Sequence, residues 1–202
     1  MKARENPFRS EKVDHLNYRA EGFSWENLES ALAKSTGRGA IVGPEGHGKT
    51  TLLTQWAERR RKAGDHVVFL RVGETQRRLA EAQRDLLSNG GWVFVDSAEQ
   101  LGWLGWRELQ RLTRRADALI VTTHQPGRLP TLFACRTCPE LLAELVAELG
   151  GSNPDSDGLW SRHGGNVRLA LRELYDDCAV GNRKDQTDLM PRNLKTEIPE
   201  CE

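Results

Sequence analysis

One glycine-rich octet constrains this chain more than any other segment. It consists of Gly43, Pro44, Glu45, Gly46, His47, Gly48, Lys49 and Thr50. Its three glycines allow backbone N–H groups to turn inward around an anion, because a Cβ at these positions would obstruct the tight turn. The apolar run 39–42 before the octet predicts a short buried strand, and residues 51–57 predict the start of an amphipathic helix. A strand, a glycine-rich loop and a helix in this order predict a phosphate-binding loop.

The residues of this loop have expected roles toward ATP. Lys49 is expected to reach the β and γ phosphates, and the hydroxyl of Thr50 to bind Mg²⁺. The following helix directs the positive end of its dipole at the same phosphates. We therefore expect the octet, together with Thr51, to hold the nucleotide. ATP is preferred to GTP because no Asn-Lys-x-Asp segment, which reads guanine, follows a later strand.

The composition limits the classes of partner. A chain of 202 residues fits one domain of ordinary size with tails. Lys plus Arg equals Asp plus Glu at 29 each, so net charge gives no support for nucleic acid or an anionic membrane as partner, although a local patch stays open. No apolar stretch approaches the ~20 residues of a membrane span, and the N-terminus lacks the apolar core of a secretory signal. With four cysteines, too few for a disulfide scaffold, a cytoplasmic location is expected.

Further apolar runs predict the rest of a sheet. They cover residues 66–70, 92–96, 118–123 and 131–135. Each run is short and flanked by polar, helix-compatible sequence, as is typical of central parallel strands covered on both faces. Residues 75–88 have helical spacing, and a second helix is expected where Trp103 and Trp106 share an apolar face that suits a core better than base stacking. The expected fold class is α/β, a P-loop NTPase with a parallel sheet of about five strands flanked by helices.

The chain is expected to divide into a nucleotide-binding core and smaller flanking parts. After the last strand the pattern becomes purely helical, with one helix expected over residues 139–149 and another over 167–177. From residue 179 onward the sequence is polar and lacks periodicity. The expected parts are an N-terminal lead-in over 1–36, the core over 37–136, a small helical lid over 137–178 and a disordered tail over 179–202.

A second nucleotide motif lies at residues 92–96. Four apolar residues there deliver Asp96 to the end of a predicted strand. Asp96 is expected to contact Mg²⁺, usually through water, beside Thr50. The two motifs support each other. A buried strand can end in Asp simply as a turn residue, but a phosphate loop in the same chain makes that interpretation weaker for Asp96.

These motifs resemble those of the AAA+ and related additional-strand P-loop ATPases. In that class a strand between the phosphate loop and the acidic strand bears a polar sensor residue. Residues 118–124 are similar to that strand, and the resemblance makes Thr122 and Thr123 candidates to sense the γ phosphate or orient water. His124 is a less favoured candidate.

A second resemblance lies in residues 163–171, which contain Gly165, Asn166, Val167 and Arg168. The segment is similar to the Gly-Asn-x-Arg segment in the lids of origin-recognition, transposition-helper and secretion-helper ATPases. The arginine of those relatives reaches back to the nucleotide, which implies the same role for Arg168. Residues 6–8, Asn-Pro-Phe, also resemble the segment that precedes the core in the last two groups. The resemblance covers approximately residues 6–178.

One departure bears on hydrolysis. Many AAA+ relatives place a catalytic glutamate directly after the aspartate, whereas this chain has Ser97 there and its next acid at Glu99. Glu99 is expected either to polarise water from the following turn or to serve only as an acid at a helix start. A trans-acting arginine is not assigned, with Arg128 and the pair Arg114 and Arg115 as candidates.

The cysteines Cys135 and Cys138 have the spacing of a redox pair or of half a zinc site. A zinc site needs two more ligands, and no second pair is present in the sequence. An incidental buried pair is the favoured interpretation.

The expected function is that of an ATP-binding, AAA+-like ATPase, a Mg²⁺-dependent hydrolase whose nucleotide state switches its contacts with a protein partner or a second copy of the chain. Lys49, Asp96, Glu99, Thr123 and Arg168 are the expected catalytic residues. Two alternatives stay open. One is a small P-loop kinase, and the other is a nucleotide-dependent interaction module that does not hydrolyse ATP.

Overall fold

Five short strands form one parallel sheet in the computed structural model, which describes residues 6–87, 90–151 and 155–187. The strands are β1 (Arg38–Val42), β2 (Val67–Arg71), β3 (Trp92–Asp96), β4 (Ala118–Thr123) and β5 (Thr131–Ala134). Their spatial order is β2-β3-β4-β1-β5, and every neighbouring pair is parallel. This confirms the predicted fold class. Strand β4 lies between the strand before the loop and the acidic strand, as the resemblance implied.

Helices flank the sheet and follow it. They are α1 (Ser10–Asp14), α2 (Trp25–Lys34), α3 (Lys49–Lys62), α4 (Glu81–Leu87), α5 (Trp103–Leu112), α6 (Pro139–Glu148), α7 (Ser156–Arg162) and α8 (Val167–Thr187). A short 3-10 helix, Ala98–Gln100, follows β3. Ser24 caps α2 by accepting a hydrogen bond from the backbone N–H of Asn27, as its position in the sequence predicts.

The two faces of the sheet are both covered because successive side chains of a strand point to opposite sides. On one face, Val93 and Val95 pack with Leu109 of α5. On the other face, Phe94 packs with Trp56 of α3, and both are fully buried. The sheet therefore presents its carboxyl edge, and not its faces, to any ligand.

The helix expected over residues 75–88 is shorter in the structure, where α4 begins at Glu81. The side chain of Gln76 accepts a hydrogen bond from the N–H of Gly73 and donates one to the carbonyl of Arg78. That of Gln83 accepts from the N–H of Ala80. Side-chain amides thus satisfy backbone groups that a helix would otherwise pair, which the helical spacing alone did not indicate.

The last described helix is longer than expected. Helix α8 continues to Thr187, ten residues past the predicted end at residue 177 and into the segment expected to be a tail. No proline occurs between residues 155 and 190, so no proline forces an earlier end of the helix. Residues 188–202 of that expected tail lie outside the described residues.

A third apolar cluster joins the two ends of the chain. Leu142 of α6, Leu159 of α7 and Ala170 of α8 pack together with Phe8 from the N-terminal segment. The buried side chain of Asn6 donates a hydrogen bond of 2.9 Å to the carbonyl of Tyr175. The N-terminal segment therefore packs on the C-terminal helices as well as on the core. Within the described ranges, no helix has the length and apolar character needed to cross a lipid bilayer.

Candidate nucleotide-binding site

A cavity of about 490 Å³ opens at the carboxyl edge of the sheet. Its volume lies in the range of about 300–1,000 Å³ that small-molecule sites occupy. It is lined by the loop between β1 and α3, the residues after β2, β3 and β4, the N-terminal segment, Thr137, and helices α6 and α8. The predicted phosphate loop is thus the floor of a cavity that distant segments complete.

The loop glycines have both conformational and steric reasons to lack a Cβ. Gly46 and Gly48 have φ values of +76° and +82°, in the left-handed region that glycine favours. A Cβ on Gly46 would lie 1.8 Å from Oδ1 of Asn166, and one on Gly48 would lie 3.0 Å from the Tyr18 ring. The loop therefore contacts both the C-terminal helices and the N-terminal segment.

Lys49 begins α3 and is 9% exposed. Its Nζ donates a hydrogen bond of 2.7 Å to the carbonyl of Pro44 within the loop. Burial lowers the pKa of Lys49, and the carboxylates of Glu99, Asp96 and Glu45 act in the opposite direction. The ammonium group is therefore held at the loop among acidic side chains, where a phosphate could replace the carbonyl as its partner.

Thr50 and Asp96 lie side by side, as their motifs predict. The hydroxyl of Thr50 is 3.1 Å from Oδ1 and 3.2 Å from Oδ2 of Asp96, whose side chain is buried. A hydroxyl and a carboxylate supply the oxygen ligands that Mg²⁺ prefers, and Mg²⁺ commonly takes one or two carboxylates together with substrate phosphates. The pair therefore fits a magnesium ion. No group of three or more His, Cys, Asp or Glu side chains suited to a metal occurs in the described part of the chain, Cys135 and Cys138 included.

Arg71 at the end of β2 reaches the same carboxylate. It is the cross-strand neighbour of Asp96, and its Nε lies 3.3 Å from Oδ2 of Asp96. Arg71 was not among the site residues predicted from the sequence. Its position directly after a predicted central strand was the available signal, because the carboxyl ends of parallel strands meet at one edge.

The end of β4 separates the candidate sensor residues. Thr122 donates a 2.8 Å hydrogen bond to Oδ1 of Asp96. Thr123 instead donates to the carbonyl of Gln125, and neither threonine lines the cavity. His124, the less favoured candidate, does line it. Alternation along the strand explains the split, since adjacent side chains point in opposite directions.

Ser97 and Glu99 follow Asp96 with an unusual backbone. Ser97 has φ +59° and ψ +42°, in the left-handed region. The 3-10 helix then brings Glu99 to the cavity wall, where its Oε1 lies 3.3 Å from Nε2 of His124. Glu99 is therefore in the cavity although it is not adjacent to Asp96 in sequence.

Arg168 lines the cavity from the first turn of α8, and its side chain is exposed. Asn166 caps that helix, because its Oδ1 accepts a hydrogen bond of 3.1 Å from the N–H of Leu169. The Gly-Asn-x-Arg segment thus faces the phosphate loop through both residues.

The N-terminal segment supplies an aromatic wall that sequence reasoning also missed. Tyr18 lines the cavity, and its hydroxyl donates a hydrogen bond of 3.3 Å to Sγ of Cys135. Gln55 of α3 accepts from the N–H of Tyr18 and donates to the carbonyl of Leu16, which fixes the segment above the loop. Tyr18 lies 25 residues before the first residue of the loop, and no local pattern in the sequence indicated this contact.

Helix α5 carries a second concave surface, a groove of about 640 Å³ that we call the arginine groove. Its lining residues are Arg78, Leu104, Arg107, Glu108, Gln110, Arg111 and Arg114. Trp103 beside it is 67% exposed, with the Arg107 guanidinium 5.1 Å from its ring centroid. The prediction that Trp103 belongs to a core face was wrong, while Trp106 does pack against the core. Trp103 is the first residue of α5.

Comparison with known proteins places the fold. No family model matches the chain, and no curated protein matches it. Among 41 matching chains of solved structures is the replication initiator DnaA bound to AMPPCP and single-stranded DNA. The two share 14% sequence identity with a TM-score of 0.56, over 88% of this chain and 69% of that chain. At this identity the likeness shows the fold alone, a parallel α/β sheet flanked by helices that is consistent with a P-loop NTPase-like fold.

Proposed function

We propose that this protein binds ATP with Mg²⁺ and hydrolyses it as an AAA+-like ATPase whose nucleotide state alters its contacts with a partner. The observation that carries the proposal is the convergence of Lys49, Thr50 and Asp96 in one cavity at the carboxyl edge of the sheet. Lys49 and Thr50 are neighbours in the loop sequence. Asp96 comes from a separate strand, β3, and joins them only in the folded structure.

The phosphates bind at the loop. Lys49 contacts the β and γ phosphates, and the backbone of residues 43–51 surrounds them. Thr50 and Asp96 hold Mg²⁺, which when bound neutralises charge that develops on the phosphates. Arg71 forms an ion pair with Asp96, and Mg²⁺ held by Asp96 would compete with Arg71 for the same carboxylate.

Apolar side chains from the N-terminal segment and the C-terminal helices also line the cavity, namely Leu16, Leu141, Leu145 and Leu171. The base and sugar are proposed to pack against them. Residues 137–178 act as a lid on the core of residues 37–136, and Arg168 on this lid reads the γ phosphate. Residues 1–36 are a lead-in that completes the base pocket.

Hydrolysis uses the residues after β3 and β4. The oxygen of water bonds to the γ phosphorus while the bond from that phosphorus to the bridging oxygen breaks, and the electron pair leaves with ADP. Glu99 accepts the proton of the attacking water and releases it to solvent. Thr122 and Thr123 support this edge of the site, Thr122 through Asp96.

The Lys49→Ala variant tests the site. Removal of the ammonium group is expected to weaken binding of a non-hydrolysable ATP analogue by at least tenfold, because a charge-assisted contact to phosphate is worth roughly 1.5–3 kcal/mol. Isothermal titration calorimetry measures the affinity. Lys62→Ala, which removes an exposed lysine at the far end of α3, is the matched control and is expected to bind as the wild type does. Undiminished affinity of Lys49→Ala would refute the proposed nucleotide site.

The partner is proposed to contact the arginine groove. Arg107 and Arg111 lie one turn apart on α5, and Arg114 follows the end of that helix. These three arginines form no ion pair with any described residue. The single acid of the groove, Glu108, is itself paired with Arg84 at 3.0 Å. A local positive field therefore exists on a chain of zero net charge. Together with the exposed Trp103, it suits a single-stranded nucleic acid, the class of ligand that the DnaA structure holds.

A further inference from the structure

The backbone at Ser97, directly after β3, has a left-handed conformation. A left-handed serine costs of the order of 1–2 kcal/mol relative to an ordinary conformation, so neighbouring contacts must hold it. The N–H of Ser97 donates a hydrogen bond of 2.8 Å to the hydroxyl of Thr122. The same hydroxyl donates to Asp96. Thr122 therefore fixes the direction in which the chain leaves β3.

Arg128 holds the turn that follows. Its guanidinium donates hydrogen bonds of 2.7 Å to the carbonyls of Ala98 and Leu101, and a longer one of 3.4 Å to that of Glu99. The guanidinium also lies 5.0 Å from the Trp106 ring centroid. These donors are used within the chain, so Arg128 in this arrangement does not reach toward a neighbouring molecule. We call residues 97–101 the Glu99 turn.

The carboxylate that this turn presents has one satisfied and one unsatisfied oxygen. Oε1 of Glu99 lies 3.3 Å from Nε2 of His124. Oε2 is buried and has no hydrogen-bond partner among the described residues. A buried oxygen left without a partner costs about 1–3 kcal/mol, which calls for a ligand that the protein itself does not provide. Glu99 lines the cavity, so a water molecule that enters beside its carboxylate would be such a ligand.

We propose that Thr122, His124 and Arg128 are positioning residues that hold Glu99 against the attacking water, three residues after Asp96 and not directly after it. The inference rests on the proposed ATPase function. Thr122 sets the exit from the strand, and Arg128 closes the turn. His124 contacts one carboxylate oxygen of Glu99 and leaves the other without a protein partner, available to the attacking water.

The test compares Glu99→Gln with variants of the positioning residues. Glu99→Gln is expected to lower kcat by about 10²–10⁴-fold, the range for loss of a general base, with little change in affinity for a non-hydrolysable ATP analogue. Arg128→Met is expected to lower kcat by at least tenfold with KM nearly unchanged. The matched controls are Glu58→Gln and Arg61→Met on the exposed face of α3, which are expected to leave kcat unchanged.

A double-mutant cycle separates positioning from plain structural support. If Arg128 acts through Glu99, Arg128→Met lowers single-turnover hydrolysis in the wild type but has no further effect in Glu99→Gln. If Arg128→Met lowered the hydrolysis rate by the same factor in the wild type and in Glu99→Gln, the inference would be overturned. Should Arg128→Met fail to fold, His124→Gln provides the same cycle, because the His124 side chain is 46% exposed.

The remaining outcomes also separate the two proposals. Unchanged turnover in Glu99→Gln, or a larger loss in Glu74→Gln, whose carboxylate also lines the cavity, would overturn the inference and leave ATP hydrolysis standing. Tight ATP binding by the wild type with no phosphate release would overturn the inference and leave the nucleotide site standing. Absence of ATP binding would overturn the proposed function itself.

Discussion

At the scale of single residues, the phosphate loop is shaped by what lies above it. Gly46 is where the Asn166 side chain meets the loop, and Gly43 is where the Cys135 carbonyl meets it, 2.6 Å from an ideal Cβ. Two glycines of the loop are therefore favoured by close contacts with neighbouring residues as well as by the proposed binding of phosphate. The octet is recognisable in sequence, but the steric reason for these glycines lies in residues far along the chain.

Gly46→Ala is expected to destabilise the protein more than Gly64→Ala does. Both glycines have positive φ, so both variants pay the left-handed cost of about 1–2 kcal/mol. Only at Gly46 does the new Cβ displace Asn166 and its cap on α8, which adds about 1 kcal/mol. Urea denaturation measures the difference. Equal losses in the two variants would contradict the proposed steric contact.

At the scale of elements, the sequence predicted what is local and missed what depends on tertiary contact. The strands are short apolar runs with turn residues at their ends, so β1 to β5 were all expected. The position of Glu99 at the cavity depends on the left-handed backbone at Ser97, which no secondary-structure propensity of the sequence indicates. The Tyr18 wall and the Arg71 contact arise from packing between segments that are distant in sequence.

Substitutions on helix α5 are expected to weaken binding of a single-stranded nucleic acid. Arg107→Ala and Arg111→Ala are each expected to weaken binding of a single-stranded oligonucleotide, and each lost phosphate contact is expected to reduce the slope of log affinity against log salt by about 0.7. Trp103→Ala is expected to cost about 1–3 kcal/mol through lost base stacking. Fluorescence anisotropy over a salt series measures both, with Arg61→Ala as control. An unchanged slope in all three variants, or binding of an acidic peptide in preference to the oligonucleotide, would exclude this use of the arginine groove.

At the scale of the whole molecule, three apolar clusters stabilise the fold. Two of them cover the two faces of the sheet, and the third joins the N-terminal segment to helices α6, α7 and α8. Cys135 belongs to the core cluster and is 1% exposed. Burial raises its pKa to about 11, which the Tyr18 hydrogen bond and the Lys49 charge only partly counteract.

The protein is therefore expected to lose stability at alkaline pH. Between about pH 9 and pH 11 the unfolded chain releases the Cys135 proton while the folded chain keeps it, so the free energy of unfolding falls as pH rises. The fall amounts to at most ~1.4 kcal/mol per pH unit for one proton. Urea denaturation at pH 8 and pH 10 measures it. Cys135→Ala lacks this proton and should show a shallower fall, and parallel curves for the two proteins would contradict the prediction.

The left-handed serine after β3 has a consequence for how such chains are recognised. A sequence motif that requires two adjacent acidic residues at the end of the strand does not match this chain, because Ser97 and Ala98 separate Asp96 from Glu99. A three-dimensional template that asks only for two carboxylates at the edge of one cavity includes it. Sequences with Asp-Ser-Ala-Glu at this position are therefore better sorted by the backbone angle at the serine than by the spacing of their acids.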